Sequence, residues 1–122
     1  MAMLADLERL FERLFERPTA RLFRTRLQPV QVERRVERAM ERARVGQGPR
    51  TVVPARYRVR LDAADLEGLA GDAGPEALAG RLADAALAFA RAHGYHLPGR
   101  PTVSLVVDPS VQKGTVGRPG RW

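Results

Sequence analysis

The segment from Val53 to Leu61 alternates apolar and basic side chains, and this alternation restricts the possible folds more than any other feature of the sequence. The apolar set is Val53, Ala55, Tyr57, Val59 and Leu61, and the basic set is Arg56, Arg58 and Arg60. Because successive side chains of a strand point to opposite faces, a period of two predicts a strand with one apolar and one basic face. The sequence therefore predicts a sheet with one covered side and one basic, solvent-facing side.

We place this strand over 52–61. Helical patterns occur on both sides of it in the sequence. Apolar residues recur every three or four positions over 4–15, which predicts an amphipathic helix. Pro29 and Pro75 suit first helical positions, so we predict two further helices, one over 28–43 and one over 75–93. The positions that we expect the last helix to bury are Leu78, Leu82, Ala85 and Phe89.

Two more strands are predicted after the last helix, over 102–107 and 111–116, with the second pairing back on the first as a hairpin. Asp62 is placed to cap a short helical turn, and Asp65 adds negative charge near the start of that turn. The fold class that these elements predict is α+β. We expect a two-layer sandwich in which a small, mostly antiparallel sheet of about three strands packs against about three helices.

Positive charge is concentrated in the first half of the chain. Residues 1–60 hold 15 basic and 7 acidic side chains, whereas residues 61–122 hold 6 basic and 7 acidic side chains. Lys113 is the only lysine, so nearly every basic group is an arginine, whose planar guanidinium suits phosphate and carboxylate. This asymmetry favours a nucleic acid, a membrane surface or an acidic protein as the partner.

The chain length suits one domain, which we predict over 1–118, with 119–122 as a loose tail. The N-terminus carries acidic residues where a secretory signal would be basic and then apolar. Charged residues interrupt the alanine-rich stretch over 77–92, so we do not expect it to span a bilayer. Cysteine is absent, which suits a reducing compartment. We therefore expect a cytoplasmic protein.

No catalytic constellation is evident in the sequence. His93 and His96 lie near a predicted helix end with no carboxylate close in sequence, so we interpret them as structural or exposed residues rather than zinc ligands. Helix capping explains Asp62 and Asp65 better than a pair of catalytic acids does. We therefore expect no enzymatic activity, no metal and no cofactor.

The arginines of the alternating segment are the strongest candidates for contact with a partner. A solvated face is the simplest interpretation, because one-sided sheets usually place charged residues toward water. Contact with an acidic or phosphorylated protein is the next. Nucleic acid ranks below both, because stacking aromatic residues are missing and Tyr57 falls on the apolar side of the alternation. The candidate interaction face consists of Arg50, Arg56, Arg58, Arg60 and Lys113.

Five short motifs follow one another along the chain. They are Leu27-Gln28-Pro29-Val30 with Ala39-Met40, Val53-Pro54-Ala55-Arg56-Tyr57, Leu61-Asp62-Ala63-Ala64-Asp65, Gly94-Tyr95, and Val103-Ser104-Leu105-Val106-Val107-Asp108. In order and spacing, this series resembles the N-terminal domain found ahead of a forkhead-associated (FHA) domain in bacterial signalling proteins of the FhaA type. The resemblance covers roughly residues 4–116.

The resemblance implies a non-enzymatic module of a cytoplasmic adaptor that is linked to Ser/Thr kinase signalling and to control of cell-envelope synthesis and division. The implied partners are a kinase, an FHA domain or envelope-synthesis proteins, and no metal or cofactor is implied. The combined glycine-arginine and serine-x-x-histidine pattern of a phosphothreonine-reading FHA domain does not occur in residues 1–122. We therefore do not assign phosphopeptide recognition to this chain.

Phosphorylation and two other functions remain open at this point. Thr115, Thr51 and Thr25 lie in predicted loops or element ends near basic residues. We interpret them first as ordinary hydrophilic turn residues; the alternative is that they accept phosphate, which would pair with the neighbouring arginines. Nucleic-acid binding through the arginine-rich first half predicts steep loss of affinity with salt. The third hypothesis is homo-oligomerisation, as a homodimer, through the apolar face of the helix over 4–15.

Overall fold

The structure, a computed structural model, describes residues 27–117. Its elements in chain order are α1 Pro29–Arg42, β1 Val45–Gln47, β2 Arg50–Val52, β3 Arg56–Leu61, α2 Ala63–Ala70, α3 Pro75–Ala92 and β4 Thr102–Val107, with a short 3-10 turn, Gly71–Ala73, between α2 and α3. The helix predicted over 4–15, the homodimer hypothesis that depends on it, and the tail predicted over 119–122 lie outside the described residues.

One hydrophobic core joins the helices to the sheet formed by β3 and β4, and it confirms the predicted two-layer α+β class. α3 packs on both β4 and α1, and α2 packs on α3. The apolar positions of the helices recur at helical spacing and those of β3 at every second residue, so each element directs one face into the same core. The main buried residues of that core are Val32, Val36, Met40, Tyr57, Val59, Leu61, Leu78, Leu82, Ala86, Ala90 and Val103.

The buried face of α3 differs in part from the prediction. Leu78 and Leu82 are buried as predicted, whereas Ala85 and Phe89 are only half-buried. The fully buried positions continue in steps of four residues to Ala86 and Ala90. Their short side chains allow α3 to lie close to its neighbours at close-packed density, and this turns the larger Phe89 toward the edge of the core.

The sheet arrangement also differs from the prediction of one mostly antiparallel sheet of about three strands. β3 and β4 run parallel, in a register from Arg56↔Thr102 to Leu61↔Val107. The connection between them contains α2 and α3, and such a helical crossover returns the chain in the same direction rather than reversing it. A second sheet, the antiparallel hairpin of β1 and β2, was not predicted. Pro54, which has no N–H to donate, lies between β2 and β3 and divides the strand predicted over 52–61.

Residues 111–116, which we predicted as a third strand, form consecutive turns in the structure. The N–H and the hydroxyl of Ser110 both donate to Asp108 Oδ1, at 2.9 and 2.7 Å. The N–H and the hydroxyl of Thr115 both donate to the carbonyl of Gln112, at 3.1 and 2.6 Å. Bonds of this local kind offer the backbone an alternative to strand pairing, and here they take its place.

These turns form an anchored loop, residues 108–117, which we call the 108–117 loop. Its Val111 side chain is buried. The Gly114 N–H donates to the carboxylate of Asp65 at 2.6 Å, and the Gly117 N–H donates to the carbonyl of Arg60 at 2.9 Å. The loop therefore passes from the end of β4 across the start of α2 to the far edge of β3.

Candidate interaction face

β3 exposes Arg56 and Arg58 on the side of the sheet that faces away from the core. The alternate residues Tyr57 and Val59 are buried on the other side. The one-sided strand predicted from the alternation is therefore confirmed. Tyr57 is held further by its hydroxyl, which donates to the carbonyl of Pro54 at 2.6 Å. Burial raises the pKa of the Tyr57 phenol well above its usual value, so this donor stays protonated at neutral pH.

The parallel register adds two hydroxyl side chains to this side of the sheet. Thr102 pairs with Arg56 and Ser104 pairs with Arg58, and all four residues are exposed. Paired residues of neighbouring strands direct their side chains to the same face. We call the surface formed by Arg56, Arg58, Thr102 and Ser104 the arginine face.

Arg60 points to the same side but has a partner within the chain. Its Nη1 lies 2.7 Å from Asp108 Oδ2, and the side chains are only 26% and 23% exposed, respectively. Asp108 also accepts the two bonds from Ser110. Arg60 thus attaches the start of the 108–117 loop to the sheet, and it is less available to a partner than Arg56 or Arg58.

The Asp108 carboxylate should make stability depend on pH in the acid range. Bonds from the Ser110 hydroxyl and N–H, and then from Arg60, lower the pKa of Asp108 from 3.8 to about 2. A depressed pKa means that the stabilising contribution is complete above about pH 4 and is lost as pH falls toward 2. We expect Asp108→Asn to be less stable than the wild type at pH 7 and to approach it at pH 2, as measured by urea midpoints. A constant difference between the two proteins across this range would contradict the assignment.

The other two predicted members of the interaction face lie elsewhere. Arg50 belongs to β2, in the separate hairpin sheet, where its Nη1 lies 3.4 Å from Nε2 of His96. Lys113 is exposed in the 108–117 loop. The strand pairing thus joins only Arg56 and Arg58 into one continuous exposed surface.

The three threonines proposed as phosphate acceptors differ in accessibility. Thr115 is exposed, and its hydroxyl donates to the Gln112 carbonyl. Thr51 is half-buried in β2, and its carbonyl accepts the N–H of His96 at 2.7 Å. Thr25 lies outside the described residues.

The carboxylates that we interpreted as helix caps have structural partners. Asp62 accepts the N–H groups of Ala64 and Asp65, at 3.0 and 3.2 Å, which confirms it as the cap of α2. Asp65 is buried and accepts the Gly114 N–H, a contact between residues too far apart in sequence to be predicted. Within residues 27–117, no group of three or more His, Asp or Glu side chains is placed to hold a metal ion.

The histidine near the end of α3 takes part in local packing. The ring centroids of His93 and Phe89 lie 4.1 Å apart, and His93 Nδ1 lies 3.0 Å from the Phe89 carbonyl. Tyr95 completes the cluster, with its ring centroid 5.5 Å from that of His93. These contacts give His93 a structural explanation.

A small cavity adjoins the arginine face at Arg58. It has a volume of about 20 Å³ and lies between α1 and β3, beside Val36, Tyr57 and Arg58. A space of this size holds about one water molecule, so this cavity does not fit a metabolite or cofactor. Of the helices in the described part of the chain, none is sufficiently long and apolar to cross a membrane.

Thr102, Ser104 and Asp108 belong to the candidate site but were not identified from the sequence. The signal was present, because β4 alternates hydroxyl-bearing Thr102 and Ser104 with apolar Val103 and Leu105. Only the parallel register reveals which of these side chains adjoin the arginines.

Comparisons with known proteins agree with this architecture. The model of the family described as FhaA, N-terminal domain, matches residues 4–117. The solved structure named "Rv0020c_Nter structure" superimposes on this chain with a TM-score of 0.67 at 22% sequence identity, over 90% of this chain and 77% of that one. This similarity shows a shared fold, and a comparison with curated proteins finds no match. Because the family model spans most of the sequence, the chain belongs to the FhaA N-terminal domain family.

Proposed function

We propose that this domain is a non-enzymatic, protein-binding module of a bacterial FHA-type adaptor and that its arginine face contacts an acidic partner. The observation that carries the proposal is the open side of the β3–β4 sheet. Parallel sheets are usually covered on both faces. Here the helices cover one face, whereas Arg56, Arg58, Thr102 and Ser104 on the other face are exposed.

The chemistry of the arginine face suits carboxylates on an extended protein segment. Arg56 and Arg58 are two residues apart on one strand, so their Cα atoms are separated by about 6.6 Å. Residues two apart on an extended partner have the same spacing and direct their side chains to one face. Each guanidinium donates to a carboxylate in a planar, bidentate arrangement, and the neighbouring hydroxyls of Thr102 and Ser104 add further donors.

Membership of the FhaA N-terminal domain family supports a role in signalling. We extend the proposal to Ser/Thr kinase signalling and cell-envelope control in the cytoplasm, with a kinase, an FHA-domain protein or an envelope-synthesis protein as the partner. Phosphorylation of the exposed Thr115 would add negative charge to the 108–117 loop, close in sequence to Lys113. Independently of Thr115, the partner segment at the arginine face would carry its negative charge as carboxylates or as phosphates.

Charge reversal on the arginine face tests this proposal. We expect Arg56→Glu/Arg58→Glu to weaken capture of partners from a lysate of the native cells by about tenfold or more, because like charges at an interface cost several kcal/mol. Arg38→Glu/Arg91→Glu is the matched control, since both arginines are exposed on helices away from this sheet face. Quantitative mass spectrometry after cross-linking measures the capture, and circular dichroism verifies that both variants fold.

The proposal requires that a kinase, an FHA-domain protein or an envelope-synthesis protein be retained by the wild type and by the control but lost from the Arg56→Glu/Arg58→Glu variant. Equal losses from the two variants would indicate only a net-charge effect and would contradict it. Nucleic acid is the competing ligand, for which phosphate contacts predict affinity that falls steeply with salt. Tight, salt-sensitive binding of single-stranded DNA or RNA, abolished by the same double substitution, would favour that alternative.

A further inference from the structure

The outer edge of β4 carries backbone hydrogen-bonding groups that no strand in the described part of the chain pairs with. Thr102 donates its N–H to the carbonyl of Ala55 at 2.8 Å, and Asp108 donates to Leu61 at 2.9 Å. The backbone N–H and C=O groups of the even-numbered residues of β4 therefore point toward β3. Those of Val103, Leu105 and Val107 point to the opposite edge. No backbone group among residues 27–117 pairs with that edge.

Within its own sequence, β4 carries neither the charged side chains nor the proline that protect many edge strands. Exposed edges are usually blocked by charged side chains, proline or a covering segment. β3 has three arginines, and its outer edge meets Gly117. β4 has the sequence Thr-Val-Ser-Leu-Val-Val, with no charge and no proline within it. At its end, Val107 is 49% exposed.

We infer that an extended acidic segment of a partner protein adds to β4 as a third strand of the sheet. Addition of a peptide to a sheet edge is a recurrent recognition mode, in which backbone bonds supply affinity and alternate side chains supply specificity. This inference rests on the proposed function, because it specifies how the partner of the arginine face is bound.

The two faces of the sheet specify the side chains of the added strand. On the core side its neighbours are half-buried Leu105 and exposed Val107, which favour apolar residues. On the other side its neighbours are Thr102 and Ser104, with Arg56 and Arg58 one strand further away. Two inter-strand spacings separate the added strand from β3, so the arginines lie about 10 Å from the added backbone. This distance is within the combined reach of an arginine and a glutamate side chain. An alternation of acidic and apolar residues fits both faces.

Charge favours such a partner over a second copy of this chain. Each chain carries a formal charge of +7. Pairing of two β4 edges would create one continuous sheet with both arginine faces on it, and like charges oppose this association. An acidic segment instead neutralises the arginines that it approaches.

Amide hydrogen exchange followed by NMR tests strand addition on the whole chain. The probe is an acetylated heptapeptide of alternating glutamate and valine, and the control replaces each glutamate with lysine. At a concentration that fills about nine sites in ten, we expect exchange at Val103, Leu105 and Val107 to slow by about tenfold. The amides of Ser104 and Val106 should change little, because they already donate to β3. The lysine control should protect none of them.

Two methylated versions of the probe then distinguish strand addition from simple charge attraction. In a strand, alternate N–H groups point to opposite edges, so only the glutamate or only the valine N–H groups face β4. N-methylation of one set should abolish binding, whereas N-methylation of the other should preserve it, and the sensitive set reveals the strand direction. Equal tolerance of both methylated peptides would overturn the inference.

The remaining outcomes separate this inference from the proposed function. If binding depends on Arg56 and Arg58 but leaves exchange at Val103, Leu105 and Val107 unchanged, strand addition is wrong and the arginine face still binds protein. If these amides already exchange slowly in the free chain, another part of the same chain or a second copy occupies the edge, and the inference is wrong. Light scattering at several concentrations distinguishes those two occupants.

Discussion

Replacing Leu82 with alanine should lower the free energy of unfolding by about 2–5 kcal/mol, the usual range for a buried leucine. Leu82 lies in the middle of α3, is 0% exposed, and belongs to the core that joins α1, α3 and the β3–β4 sheet. Truncation removes apolar contacts and leaves a cavity that the closely packed surroundings fill only partly. Domains of this size are stable by only about 5–15 kcal/mol, so the effect is large.

Leu87→Ala is the matched control for this prediction. Leu87 lies on the same helix but is only half-buried and is not among the residues that pack against the core. We expect its truncation to cost less than about 1 kcal/mol. Urea denaturation measures the free energy of unfolding of both variants. We expect the midpoint of Leu82→Ala to fall clearly below that of Leu87→Ala, with unchanged m-values. Equal losses for Leu82→Ala and Leu87→Ala would contradict the orientation of α3.

Removing the Asp65 carboxylate should produce the second large effect. Asp65 is 7% exposed, the only buried charged residue in the described part of the chain, and it accepts the Gly114 N–H at 2.6 Å. We expect Asp65→Ala to lower the free energy of unfolding by about 1.5–3 kcal/mol, the range for a hydrogen bond to a charged group. Because this bond anchors the 108–117 loop, exchange of the Gly114 amide should also accelerate.

Two further substitutions separate the loss of this bond from a general effect of charge. Glu67→Ala removes an exposed carboxylate from the same helix, so it should change stability by no more than about 0.5 kcal/mol and leave Gly114 exchange unchanged. Asp65→Asn keeps one acceptor oxygen, so its free energy of unfolding should lie between those of the wild type and Asp65→Ala. If Asp65→Ala destabilised the protein without affecting Gly114, the loop anchor would be wrong.

Local rules were sufficient for the starts of α1 and α3 and for the two faces of β3. Pro29 starts α1 and Pro75 starts α3, as expected from the fixed φ angle of proline and its missing N–H. Gly94, with φ of 70°, follows the end of α3 in a conformation that glycine adopts easily. These signals act over one helical turn, so they can be recognised without knowledge of the rest of the fold.

The candidate site was only partly predictable. Arg56 and Arg58 followed from alternation within one strand, whereas Thr102 and Ser104 adjoin them only through the pairing of strands 46 residues apart in sequence. Arg60 resembled its two neighbours in the sequence, yet Asp108, 48 residues away, makes it an anchor for the 108–117 loop. The outer edge of β4, unpaired among residues 27–117, could not be inferred because residues 111–116 were expected to pair with that strand as a hairpin.

The sequence by itself determined the α+β class, the starts of α1 and α3, and the apolar and basic faces of β3, because periodicity and capping depend on residues a few positions apart. Tertiary structure alone decided the parallel pairing of β3 with β4, the anchor from Asp65 to Gly114, and the division of the arginines into two exposed residues and one ion-paired residue. Those features depend on which distant segments meet, and that choice is made by burial of one shared core rather than by local preference.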